Sequence, residues 1–234
     1  MQDEHLSHVV ANVVANVAAV RERIDRALRG DPRAVSLVAV TKTFGPEAML
    51  AAGTARCDAV GENYAQELVA KLDALAAEGR LGEVPEVHFI GQLQSNKVRA
   101  LAGRVAVFET VDRPSLASEL ARRAPGSRVL VQVDATEEPG KGGCPVADVP
   151  RFVDECRSLG LSVEGVMTVG PTTGGPAAAR PVFRTVRALA DRLGVAVCSM
   201  GMSDDFEVAV EEGSTQVRIG SALFGARARP RPPV

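Results

Sequence analysis

Neither sign of charge prevails in this 234-residue chain: 27 basic residues stand against 29 acidic ones, a net charge of −2. That excludes a general electrostatic attraction to nucleic acid or to an anionic membrane. No window approaches the roughly 18 apolar residues of a membrane span. The first ten residues, MQDEHLSHVV, are acidic and polar where a secretory leader is basic and then apolar, so the protein is expected in the cytoplasm. Cysteine is scarce and scattered. Cys57, Cys144, Cys156 and Cys198 have no C-x-x-C spacing, which argues against a zinc or redox site and for reduced, mostly buried thiols. His5 and His8 lie three apart on an expected helix with no further ligand near, so no metal is expected. The stretch 140–143, GKGG, lacks the spacing and the following Ser or Thr of a nucleotide-binding loop, and Lys141 reads as a solvated loop lysine.

What the chain does have is apolar sequence, 46% of it, at a length that α/β barrels use as one domain. Leu6, Val9, Val13, Val17, Val20, Ile24 and Leu28 recur at intervals of three and four, one face of a long amphipathic helix that Gly30-Asp31-Pro32 stops. Short apolar runs then alternate with helical segments framed by prolines at their starts and glycines at their ends. The runs fall at 35–43, 58–61, 87–91, 105–111, 128–134, 161–169, 195–202 and 216–219. Strand followed by helix, repeated to the length of a barrel, predicts a parallel (β/α)8 barrel of the TIM type, with a doubly wound open sheet as the alternative. The expected organisation is an N-terminal helix over 1–30 packed on a barrel over 31–227, with a disordered end over 228–234.

The first run, VSLVAVTKT, closes on Lys42. An ammonium group at the end of a buried strand is costly unless it is paired, solvated or used covalently. Its long stem can simply carry the head to water, or the lysine can be held to form a Schiff base. In a barrel the working face lies at the C-terminal ends of the strands, which is where Lys42 falls. Two other strand ends look built for an anion: Ser203 precedes a helix, where its hydroxyl and free amides can meet a phosphate, and Gly220 and Ser221 follow the last strand. Lysine on the first strand and a phosphate cradle on the last two are neighbours across the closing seam.

The segments VAVTKT, GENYAQE, HFIGQLQSNK, SMGMSDDF and VRIGSALFG, in that order, resemble the YggS/PROSC family of pyridoxal 5′-phosphate homeostasis proteins. The fold of that family is the barrel domain of bacterial alanine racemase (a PLP-binding barrel, fold type III) standing alone. The resemblance runs from about residue 35 to 225. It implies that Lys42 carries pyridoxal 5′-phosphate as a covalent aldimine, that Ser203, Gly220 and Ser221 hold the phosphate, that Arg218 faces the pyridine nitrogen and that Asn63 lies beside the ring. A guanidinium there, always charged and only a donor, favours a neutral ring and weak carbanion stabilisation. With no second domain to bring an opposing base, the expectation is a monomeric cofactor carrier with no established catalytic residue, active in intracellular homeostasis of the cofactor, with pyridoxal-phosphate-dependent apoenzymes as recipients. The alternative is an amino-acid racemase using Lys42 and either Tyr64, the only tyrosine, or a cysteine. A plain interaction module is a third class. The sequence departs from the family's pattern at Thr41, at Phe44-Gly45 and at Ser221; Thr41 and Ser221 each keep a hydroxyl.

Overall fold

The computed structural model describes residues 2–225. Its sheet contains nine parallel strands: β1 Ser36–Val40, β2 Ala59–Glu62, β3 Glu86–Phe89, β4 Val107–Val111, β5 Arg128–Asp134, a two-residue β6 Cys144–Pro145, β7 Ser162–Met167, β8 Val197–Ser199 and β9 Gln216–Ile219. The hydrogen-bonded order is β4-β3-β2-β1-β9-β8-β7-β5, and β4 also pairs with β5. That last pairing closes the sheet and disposes of the open-sheet alternative. β6 stands outside the barrel, paired only to the end of β5.

The helices are α1 Gln2–Leu28, α2 Pro46–Thr54, α3 Ala65–Ala77, α4 Val98–Leu101, α5 Pro114–Arg123, α6 Val149–Ser158, α7 Gly175–Leu193, α8 Phe206–Glu211 and α9 Ser221–Phe224. Proline stands in the first turn of α2, α5, α6 and α7, where its missing N–H costs nothing. Of the apolar face expected on α1, Val13, Val17, Val20 and Ile24 are buried; Ala27 is buried beside them in place of Leu28, which is only partly covered. That face packs on α2, α8 and α9, across the seam where β8, β9 and β1 meet. The expected tail at 228–234 lies outside the described residues.

Several elements are shorter than their apolar runs. The first run ends as a strand at Val40, and Thr43 turns to φ +69°. α8 starts at Phe206, three residues after Ser203. The main core lies between the outer face of the sheet and the helices, with a small apolar layer of Val107, Leu130 and Met167 elsewhere. Along β9 the period of two separates roles: Val217 and Ile219 join the main core, while Gln216 and Arg218 enter a buried polar network with β4 and β8. Branched apolar residues commonly fill a barrel at such levels. Here the filling is polar.

Candidate functional site

Four strands adjacent in the sheet, in the order β2-β1-β9-β8, end in the residues singled out from sequence. Lys42 is half-buried, two residues past β1; Asn63 follows β2 directly; Gly220 and Ser221 follow β9; Ser203 lies in the turn after β8. Arg218 sits within β9 and is 3% exposed.

The turn after β8 needs a glycine. Gly201 has φ +96°, and a Cβ on it would lie 2.6 Å from the Ala209 side chain and 2.9 Å from the Phe206 backbone. Ser203 is therefore delivered differently from the sequence expectation. It does not cap α8, whose N-cap is Asp205, and Asp205 Oδ1 accepts a 2.6 Å hydrogen bond from the Met202 amide. Instead the Ser203 hydroxyl oxygen accepts from the amides of Gly220 and Ala222, each at 3.4 Å. The N–H groups opening the turn after β9 thus converge on an oxygen.

Arg218 is held from below. Its Nη1 donates to Ser199 Oγ at 2.5 Å and its Nη2 to the Thr168 carbonyl at 2.7 Å. Ser199 Oγ also accepts from Gln216 Nε2 at 2.9 Å and donates to Glu109 Oε2 at 2.8 Å. Glu109, fully buried, accepts from Gln216 Nε2 at 2.8 Å and shares a 2.6 Å bond with His88 Nδ1. Burial alone drives the Glu109 carboxyl up, but His88, Arg218 and Ser199 outweigh it and hold it below the usual carboxylate range. Burial pulls the Arg218 guanidinium down, against the opposing fields of Glu109 and Asp205. With two of its five N–H donors engaged by Ser199 and Thr168, Arg218 keeps donors for a further acceptor.

At the end of β2, Gly91 lets the chain come close: a Cβ there would lie 2.1 Å from the Asn63 carbonyl oxygen. Asn63 Oδ1 and Gln132 Oε1 are buried without a hydrogen-bond partner, and both residues line a cavity of about 250 Å³ shared with Asp134, Lys141 and Met167. Two orphaned amide oxygens on one cavity fit a site that takes a polar ligand. Lys141, read from sequence as solvated, is instead half-buried on this cavity and donates to the Gly170 carbonyl at 2.5 Å. Tyr64 is 54% exposed and lines a neighbouring cleft with Gln92, Lys97 and Arg113.

Sequence reading assigned no role to two buried clusters. One is the network around Glu109; the other joins Glu62, Glu67 and Lys71 beneath the turn that carries Lys42. Glu109 stands in the middle of the apolar VFETV, and Lys71 lies between Val69 and Leu72 on α3. A charge set among core positions was the available signal.

The chain is similar to known proteins over most of its length. The family model for the alanine racemase N-terminal domain matches residues 11–228. A pyridoxal phosphate homeostasis protein from Pseudomonas aeruginosa is 38% identical over 230 residues, covering 95% of this chain and 97% of the relative. The Escherichia coli protein of the same name is 34% identical, covering 92% and 97%. Among solved structures, PipY of Synechococcus elongatus with PLP bound superposes with a TM-score of 0.77 at 28% identity, over 91% of this chain and 100% of PipY. Alanine racemase from Streptomyces coelicolor, 24% identical, shares the fold with a TM-score of 0.70 over 92% of this chain and 58% of the racemase.

Proposed function

Because the chain belongs to the pyridoxal phosphate homeostasis proteins, a family built on the alanine racemase N-terminal domain, we propose that it holds pyridoxal 5′-phosphate covalently through Lys42 Nζ. It serves the intracellular supply of that cofactor and turns over little or nothing. The observation that carries this reading is the convergence of the Gly220 and Ala222 amides on the Ser203 hydroxyl, at the end of the strand next to the one that leads to Lys42.

When bound, the cofactor supplies an aldehyde that condenses with a primary amine and a pyridine ring that withdraws electrons from the adduct. The chain's own residues divide the binding. Ser203, Ser221 and the amides of the Gly220 turn hold the phosphate. Arg218 donates to the ring nitrogen from its remaining N–H groups. Being unable to give up its proton, it would leave that nitrogen unprotonated and the ring a weak electron sink. Asn63, whose amide oxygen is unpartnered, would lie beside the ring. An opposing base for racemisation finds little support: Tyr64 is 54% exposed, and the four cysteines are buried with raised thiol values. The recipients in this reading are pyridoxal-phosphate-dependent apoenzymes, the chain acts as a monomer, and its place of action is the cytoplasm. Among the described residues no helix is long and apolar enough to cross a membrane.

The test is an absorbance spectrum of purified protein with added cofactor, followed by borohydride reduction and peptide mapping. The expected result is a visible band trapped on Lys42 and absent from Lys42→Ala. An unchanged band in that variant overturns the reading. Steady exchange of the α-proton of any common amino acid in heavy water, blocked by Tyr64→Phe, favours a racemase instead.

A further inference from the structure

The peptide groups on both sides of Lys42 are gripped by one cluster, buried at Glu62 and Lys71 and partly exposed at Glu67. Lys71, 5% exposed on α3, donates from Nζ to the Thr41 carbonyl at 2.9 Å and to Glu62 Oε1 at 2.6 Å, and pairs with Glu67 Oε1 at 2.6 Å. These three acceptors account for all of its N–H donors. Thr41 Oγ1 donates to the same Glu62 oxygen at 2.7 Å. On the other side of Lys42, the Thr43 amide donates to Glu67 Oε1 at 2.6 Å. Thr43 has φ +69°, a conformation that a β-branched residue adopts only when its surroundings impose it.

The peptide joining residues 41 and 42 is oriented by its carbonyl, and the peptide joining 42 and 43 by its N–H. Those two planes fix φ and ψ of residue 42, and with them the direction of its Cα–Cβ bond. We propose that Lys71, together with Glu62 and Glu67, positions Lys42 for its reaction with the cofactor aldehyde, and that saturation of its own donors keeps Lys71 from competing as a second amine. This rests on the reading of Lys42 as the residue that carries the cofactor. In the reaction the Lys42 nitrogen forms a C=N bond to the aldehyde carbon, and its two protons leave with the aldehyde oxygen as water.

A buried charge cluster of this kind can also do no more than support the fold, for a well-packed apolar replacement is often as stable. The two roles separate experimentally. Pyridoxine 5′-phosphate has the same ring and phosphate but an alcohol in place of the aldehyde, so it reports the pocket without the covalent step. In Lys71→Met and in Glu67→Gln, covalent loading of Lys42, followed by absorbance and borohydride trapping, should slow about ten- to hundredfold, the usual cost of misplacing a reacting group. The affinity for pyridoxine 5′-phosphate should stay within about twofold of the parent protein, since the phosphate and ring contacts are untouched. Lys71→Arg, which restores a donor cation, should recover part of the loading rate. Glu67 is 27% exposed, so its isosteric variant keeps the test decisive if Lys71→Met does not fold. Parental loading in a folded Lys71→Met overturns the inference, as does equal weakening of both ligands. Loading of Lys42→Ala defeats the parent reading and this one with it. Normal trapping on Lys42 in the parent with no effect of the cluster variants defeats this one alone.

Discussion

The ring of Phe44 packs against that of Phe224, their centroids 5.3 Å apart and their planes inclined by 40°. Phe44 lies two residues after Lys42, and Phe224 ends the short helix that opens at Ser221. The contact therefore ties the turn carrying the lysine to the turn assigned to the phosphate, and it gives Phe44 a structural role that its sequence did not reveal. An aromatic pair is worth about 0.5–1.5 kcal/mol beyond the area it buries. A double-mutant cycle on Phe44→Ala and Phe224→Ala, read by urea unfolding, should return a coupling energy of that size. A coupling near zero would show that the rings merely touch.

Glu109 is the buried counter-charge of Arg218, reached through Ser199. Glu109→Ala leaves the buried guanidinium with only the field of Asp205 and should cost about 3–5 kcal/mol. Ser199→Ala, which removes one neutral link, should cost about 1–3 kcal/mol. Equal losses in the two variants would contradict this account.

The same carboxylate gives a pH dependence with a definite sign. Its value in the folded protein is lowered, so its contribution to stability is complete above its unfolded value of about 4.3 and disappears as pH falls through the folded value. Unfolding free energy measured between about pH 5 and pH 3 should therefore fall more steeply in the parent than in Glu109→Gln. Parallel slopes would mean that Glu109 does not titrate with folding.

The cysteines should be inert in the native state. Burial pushes the thiols of Cys57, Cys144 and Cys198 up to about 11 and that of Cys156 to about 12. A thiolate-directed reagent at pH 8 should find no reactive thiol in the folded protein and all four after denaturation. Rapid labelling of any one without unfolding would refute this.

The loops after β5 and β7 are clasped by Glu138, which accepts from the Thr172 hydroxyl at 2.7 Å and the Thr172 amide at 3.1 Å and pairs with Lys141 at 2.9 Å. The Thr172 hydroxyl first, then Lys141, hold its carboxyl down at about 2. In an NMR titration Glu138 should stay ionised until the pH approaches that value. Thr172→Val should move it back toward the ordinary carboxylate range.

Much of the barrel could be read from sequence because burial on both faces leaves a local mark. The runs at 128–134 and 216–219 coincide with β5 and β9. Other runs reach past the ends of their strands, since Thr41 and Met200, one residue beyond β1 and β8, are as buried as strand residues and still donate to the Gly61 and Gln216 carbonyls. For the site, Lys42, Ser203 and Gly220 could be picked out because chemistry at a strand end stands out against an apolar run. The convergence of the turn amides on Ser203, and the distance of that residue from the start of α8, depend on how two loops fold together, which no local pattern records. Glu62, Lys71, Glu109 and Ser199 escaped for a related reason. Glu109 and Ser199 meet only when strands remote in sequence come together, and Glu62 and Lys71, nine residues apart, meet only when α3 folds back on the end of β2.

The placement of α1 bears on the order in which the molecule comes apart. The helix lies over the seam, donates from Asn16 Nδ2 to the Leu223 carbonyl at 2.8 Å, and sets Arg23 over the Phe206 ring at 4.5 Å. It thus braces the two segments from which the Gly220 and Ser203 turns hang, while β3, β4 and β5 stand on the far side of the sheet order. Amide exchange in α8 and α9 should follow the fraying of α1, and exchange in β3 to β5 only the opening of the whole barrel. A helix remote from any chemistry would then set how long the protein keeps what it holds.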